Sequence, residues 1–172
     1  MPGGVSGAAA VALRVQDGGA GAPCADILAA LPTWFGIPES VAEYVAAADT
    51  EPTVVATLDG RDCGILTLRL HTPAAAEIVV MSVRPDLHRA GVGRALLGEA
   101  ERWLAARDVE FLQVKTLSPR HPDPGYGATR AFYVACGFRP LEEMPDLWGP
   151  DQPALQLVKV VPPAPPVRAA DR

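Results

Sequence analysis

The stretch from Ala76 to Arg107 constrains this chain most. A near-continuous apolar run, Glu77-Ile-Val-Val-Met-Ser-Val83, stops at Pro85 and is followed by the loop His88-Arg89-Ala90-Gly91-Val92-Gly93. An apolar run of that length predicts a strand buried on both faces. From Gly91 to Arg107, Val92, Leu96, Ala100 and Trp103 fall on one stripe with Leu97 and Leu104 beside it, while Arg94, Glu101 and Arg102 stay largely off it. That spacing predicts an amphipathic helix. A strand, a short glycine loop and a helix bring unpaired N–H groups and the positive end of a helix dipole to one point, which suits a phosphate. The two glycines equally suit a tight turn with close helix packing, so the loop by itself does not choose between them.

On either side of this stretch the pattern alternates between strands and helices. Val11 to Val15 reads as a short strand, and the glycine-rich Asp17 to Pro23 as a turn or loop. Pro38-Glu39-Ser40 opens a helix on which Val41, Tyr44, Val45 and Ala48 recur, ending near Asp49. Thr53 to Leu58, the turn Asp59-Gly60-Arg61-Asp62, and Cys63 to His71 form a hairpin signature. Phe111 to Thr116 predicts a strand, Ser118 to Gly125 a proline-rich loop, and Ala128 to Ala135 a helix closed by Gly137. Phe138 to Glu143 and Pro153 to Val161 supply two more strands. The order combines an antiparallel beginning with later strand-helix-strand crossovers, which implies a mixed α/β sheet. A small-residue leader over residues 1–10, one domain over 11–161 and a loose proline- and alanine-rich tail over 162–172 are expected.

Composition narrows the partners. The net charge of −5, with no block of consecutive Lys or Arg, disfavours nucleic acid and anionic membrane surfaces. Cys24, Cys63 and Cys136 are an odd number without CxxC or Cys/His spacing, so no disulfide framework or metal site is expected. His71 and His121 are isolated and lack ligand spacing. No stretch is long and apolar enough to span a bilayer, and the expected location is the cytoplasm.

Met81-Ser-Val-Arg-Pro-Asp-Leu-His-Arg-Ala-Gly-Val-Gly-Arg-Ala-Leu-Leu97 resembles the acetyl-CoA signature of the GNAT N-acetyltransferase superfamily. Thr129-Arg-Ala-Phe-Tyr-Val-Ala-Cys-Gly-Phe138 resembles that family's second motif. The resemblance implies a GNAT-like mixed sheet, with antiparallel N-terminal strands, a V-shaped split after the fourth strand and about four flanking helices. It implies acetyl-CoA as acyl donor and a small-molecule or peptide amine as acceptor. A homodimer is compatible with the sequence, which does not set the oligomeric state. Carried over by position, His88, Arg89, Ala90, Gly91, Val92 and Gly93 hold the pyrophosphate, Arg94 adds charge, and Met81, Ser82 and Val83 offer backbone groups to the cofactor arm. The family begins its loop with Gln or Arg where this chain has His88, and Tyr126 and Thr129 stand where its second motif usually carries Asn and Ala.

Acetyl transfer needs a deprotonated amine, a stabilised oxyanion and a protonated leaving thiolate. Tyr133 matches the family's general acid; a core aromatic beside Phe132 is the other reading. Glu77 lies eleven residues before His88, as does the catalytic Glu in histone-type members. In an apolar strand its pKa is expected to rise toward that of a base for the amine, although a solvated strand-end carboxylate and a water chain both stay open. Trp34, Phe35, Tyr126, Glu142, Glu143 and Trp148 are the candidate acceptor contacts, an aromatic and acidic set suited to a cationic amine. The alternatives are a catalytically inactive acyl-CoA-binding sensor and, with less support, a dinucleotide-binding oxidoreductase, for which a single GxG is too little.

Overall fold

The computed structural model describes residues 10–165. Of the expected leader and tail, residues 1–9 and 166–172 lie outside the described residues. The strands are β1 (Ala12–Gln16), β2 (Thr53–Leu58), β3 (Arg61–Thr72), β4 (Ala75–Val83), β5 (Phe111–Leu117), β6 (Arg139–Met144) and β7 (Ala154–Val160). The helices are α1 (Gly21–Ala29), α2 (Pro38–Thr50), α3 (Val92–Ala105) and α4 (Pro124–Ala135). The strands run in the sheet order β1-β2-β3-β4-β5-β7-β6. The β1–β2, β2–β3, β5–β7 and β6–β7 pairs are antiparallel, and β4–β5 is parallel. This is the mixed α/β sheet with four helices that the sequence predicts. The β4–β5 register runs from Ala75↔Phe111 to Ile78↔Val114 and ends there, although β4 continues to Val83 and β5 to Leu117.

The described residues fall into two compact units, the first running up to Thr67 and including Val80–Glu99, the second made of Leu68–Val79 and the residues from Ala100 onward. In the first, β2 and β3 are joined by Asp59 (φ 50°) and Gly60 (φ 77°), two left-handed residues that match the turn to the strand twist. Its core gathers Cys24, Ile27 and Leu28 of α1, Ala48 of α2, and Val55, Ile65 and Val80 of the sheet. Gly64 of β3 is a point of close approach. A Cβ there would lie 3.0 Å from Leu96 Cδ1, 3.2 Å from Val92 Cγ1 and 3.4 Å from the Ser82 carbonyl oxygen. The absence of a side chain at Gly64 lets the first turns of α3 sit this near β3 and β4 without crowding.

In the second unit, Leu112, Val114, Leu157 and Phe138 are buried. Gly137 (φ 96°) closes α4 in the left-handed conformation expected of it. The Phe138 and Cys136 N–H groups both return to the Tyr133 carbonyl, at 3.0 and 3.1 Å.

Three expectations need correction. The segment Asp17 to Pro23 is loop only as far as Ala20, because α1 begins at Gly21. Its N-terminus is capped from a distance, with the Gly21 N–H donating to Asp49 Oδ1 at 2.8 Å. Pro23 falls in the first turn, where a missing N–H costs nothing. Helix α4 begins at Pro124 rather than Ala128, since Asp123 is its N-cap and accepts from the Gly125 N–H at 2.8 Å. Strand β4 is not fully buried on both faces. Ala76, Ile78, Val80 and Ser82 are buried, whereas Ala75, Glu77, Val79, Met81 and Val83 are half-buried.

Candidate active site

The glycine loop forms because the chain must turn out of β4 and into α3 within a few residues. Pro85–Leu87 makes one turn of 3-10 helix, and His88 leaves it in extended conformation. Arg89 (φ 65°) and Gly91 (φ 85°) are left-handed while Ala90 between them is not. Alternating signs of φ turn successive N–H groups toward one side, giving a concavity that suits an anion. The first helical bond recorded from α3 into the loop runs from the Ala95 N–H to the Gly91 carbonyl at 3.0 Å. The N–H groups of Val92, Gly93 and Arg94 belong to the helix end that has no intrahelical acceptor. Arg89 and Arg94 are exposed beside this loop. Of the two glycines, Gly91 supplies the positive φ; Gly93 lies in the first turn of α3.

Two side chains fix the loop's entrance. His88 Nε2 lies 2.7 Å from the Val83 carbonyl oxygen, and since a carbonyl only accepts, Nε2 carries the proton. Arg84 is buried; its Nε donates to the Asp62 carbonyl at 2.9 Å and its Nη2 to Asp26 of α1, while its N–H reaches the Cys63 carbonyl at 2.9 Å. Sequence reasoning passed over Arg84. The period-2 pattern continues from Ile78, Val80 and Ser82 onto it, which was the available signal. The Ser82 hydroxyl on the same face is buried with no hydrogen-bond partner among the described residues. Met81 and Val83 flank it on the half-buried face.

In the second unit, Tyr133 is 5% exposed, with ring edges against Phe132 at 5.4 Å and Phe138 at 5.3 Å between centroids. Burial pushes its pKa well above that of an ordinary phenol. Glu77 departs from expectation. Its Oε1 accepts from Lys115 Nζ at 2.7 Å and its Oε2 lies 2.6 Å from His71 Nε2. Burial is the largest single influence and acts to raise its pKa. The Lys115 and His71 contacts together outweigh it, so the carboxyl lies below its ordinary value rather than above. Sequence reasoning missed both partners, because only the parallel register sets Glu77 opposite Gln113 and brings Lys115 close.

Among the candidate acceptor contacts, Glu143 pairs with Arg120 at 3.2 Å, Glu142 is exposed, and Trp148 is 45% exposed. Tyr126 is half-buried and meets the His121 ring edge-on at 6.1 Å. Trp34 is half-buried in the first unit, and Phe35 beside it packs edge-on against Tyr44 at 6.0 Å. A surface groove of about 360 Å³ over Phe111, Gly137, Arg139, Val158, Lys159 and Val160 is lined by none of the predicted site residues. No helix among the described residues is long and apolar enough to cross a membrane.

Comparison with known proteins bears on the fold and the family. A structure from Desulfovibrio desulfuricans described as a GNAT-family acetyltransferase is 23% identical, with TM-score 0.72, over 89% of this chain and 100% of that one. The ribosomal-protein-S18-alanine N-acetyltransferase from Escherichia coli is 17% identical, with TM-score 0.72, over 91% and 97%. A GNAT family acetyltransferase from Elizabethkingia anophelis, solved with acetyl-CoA bound, is 15% identical, with TM-score 0.67, over 87% and 97%. At these identities the likeness is one of fold. No curated protein matches the chain by sequence. The family model described as Acetyltransferase (GNAT) domain matches residues 49–140, just over half of the chain and inclusive of the loop and Tyr133. The chain therefore belongs to the GNAT acetyltransferase family.

Proposed function

We propose that this protein is an acetyl-CoA-dependent N-acetyltransferase that moves an acetyl group to a primary amine by direct attack in a ternary complex, and that residues 11–161 act as one catalytic domain. The observation that carries the reading is the loop with left-handed Arg89 and Gly91 at the N-terminus of α3. Its N–H groups and the helix dipole suit a pyrophosphate without any specific side chain, so His88 in place of Gln or Arg is compatible with binding. Acetyl-CoA supplies the activated acyl carbon and a thiolate leaving group.

The remaining work falls to the chain's own residues. Loop residues 88–93 hold the phosphates, with charge from Arg89 and Arg94, and the backbone of Met81 to Val83 holds the pantetheine arm. Glu77 takes a proton from the amine. Tyr133 gives one to the departing sulfur, and its raised pKa keeps it protonated at every working pH. Since a free thiol titrates near ~8.5, the transfer is uphill and follows cleavage of the C–S bond. Trp34, Phe35, Tyr126, Glu142, Glu143 and Trp148 are proposed acceptor contacts.

The test is release of free thiol from acetyl-CoA across a panel of small amines, amino acids, polyamines and peptide N-termini. Thiol release that depends on one class of amine supports the reading. A second reading, a binding module without turnover, is favoured by His88 holding the Val83 carbonyl and by the two groups already engaged with Glu77. Binding with no amine-dependent release across the panel would select it.

A further inference from the structure

Glu77, His71 and Lys115 come from three strands, β4, β3 and β5, and all three lie in the second unit. Glu77 pairs with Gln113 in the parallel register, so Lys115, two residues on, shares the face of β5 that Gln113 occupies. The side chains of Glu77 and Lys115 are 14% and 23% exposed, and that of His71 is 39% exposed. Each carboxylate oxygen has one partner: Lys115 Nζ at 2.7 Å on Oε1, His71 Nε2 at 2.6 Å on Oε2. Two partners from opposite flanks fix the plane of the carboxylate. They do not exhaust it, because a carboxylate accepts about four hydrogen bonds and about two sites remain.

We infer that Lys115 and His71 are positioning residues, holding the Glu77 carboxylate in one orientation with its remaining lone pairs available to the incoming amine. This rests on the reading of Glu77 as the base. In the step they serve, an ammonium N–H bond breaks, its electron pair stays on nitrogen, and the proton forms an O–H bond at Glu77, directly or through one water. Carboxylate and ammonium become carboxylic acid and free amine. Lys115 also opposes the burial that acts to raise the pKa of Glu77. The charged or titratable groups that act on Glu77 are His71 from β3 and Lys115 from β5; Gln113 opposite it is uncharged.

The test is the pH profile of kcat/KM for the best amine, measured on the full chain and on Lys115→Met, Lys115→Arg, His71→Asn and Glu77→Gln. Lys115→Gln serves in place of Lys115→Met if the latter does not fold. The expected result is an acid limb displaced upward by about one pH unit when the Lys115 charge is removed and restored by Lys115→Arg, since a nearby opposite charge moves a carboxyl by that order. A smaller displacement is expected for His71→Asn, and loss of the limb for Glu77→Gln. If Glu77→Gln abolishes the limb but removing the Lys115 charge leaves it in place, the positioning role is overturned while the base survives. If Glu77→Gln retains the limb, the base reading fails and takes this inference with it.

Discussion

The His88 imidazole donates from Nε2 to the Val83 carbonyl at 2.7 Å, so the first residue of the anion loop ties that loop to the last residue of β4. The side chain thus braces the loop, and under the proposed function the grip on the cofactor's phosphates falls to the backbone N–H groups. His88→Ala is expected to cost about 1 kcal/mol of stability, the net worth of one hydrogen bond. It is expected to change acetyl-CoA affinity by less than about threefold, roughly 0.6 kcal/mol. Thermal melts and calorimetric titration check both numbers. A loss of affinity beyond about tenfold would mean that the imidazole itself takes part in binding.

Gly64 tests how the loop is seated. With Leu96 Cδ1, Val92 Cγ1 and the Ser82 carbonyl within 3.4 Å of an added Cβ, Gly64→Ala makes these neighbours give by a few tenths of an ångström and is expected to push the first turns of α3 outward. Overpacking of this kind costs ~1–3 kcal/mol. Urea denaturation should record that loss, and acetyl-CoA affinity should fall with it, since the displaced turn carries the loop's N–H groups. Unchanged stability would show that α3 shifts freely.

Tyr133→Phe removes the phenol hydroxyl and keeps the ring between Phe132 and Phe138. Turnover is expected to fall by about a hundredfold, as for loss of a general acid, with acetyl-CoA affinity nearly unchanged. Steady-state kinetics with a direct binding measurement separate the two. Equal turnover in both proteins would return Tyr133 to a packing role.

Acid should weaken the fold through two carboxylates. The Arg14 hydrogen bonds, at 2.9 and 3.0 Å, hold Asp62 below its ordinary pKa, with Thr57 assisting, and Glu77 is lowered as described. A carboxyl lowered in the folded state contributes stability that is complete above its unfolded pKa and lost as pH falls through the folded one. Melting temperature should therefore decline below about pH 4. Asp62→Asn and Glu77→Gln should each lower the neutral-pH value and flatten the decline. An unaltered acid slope in both variants would contradict these assignments.

Much of the fold was legible because its determinants are local. The β2–β3 hairpin follows from Asp59-Gly60, the end of α4 from Gly137, and α3 from a stripe that begins at Val92. What escaped was set by residues distant in sequence. Helix α1 starts where Asp49 caps Gly21, and no local signal marks a cap 28 residues away. The pKa of Glu77 was read from its own apolar strand, whereas His71 and Lys115 reach it only through the register of three strands. Arg89 adopts a positive φ that residue type alone would have assigned to a glycine. The loop was found by its glycines, but its shape depends on Arg89 and Gly91, and its anchoring on Arg84 and His88.

The most direct test of the central claim is calorimetric titration of acetyl-CoA into the wild-type chain and into Gly91→Val, with circular dichroism confirming that both are folded. Gly91 has φ 85° and open space around its Cα, so a β-branched residue disturbs the loop backbone and not its neighbours. The account predicts saturable one-to-one binding by the wild type and a loss of about tenfold or more in the variant. Equal affinity in a folded Gly91→Val protein, or no binding by the wild type, would contradict it.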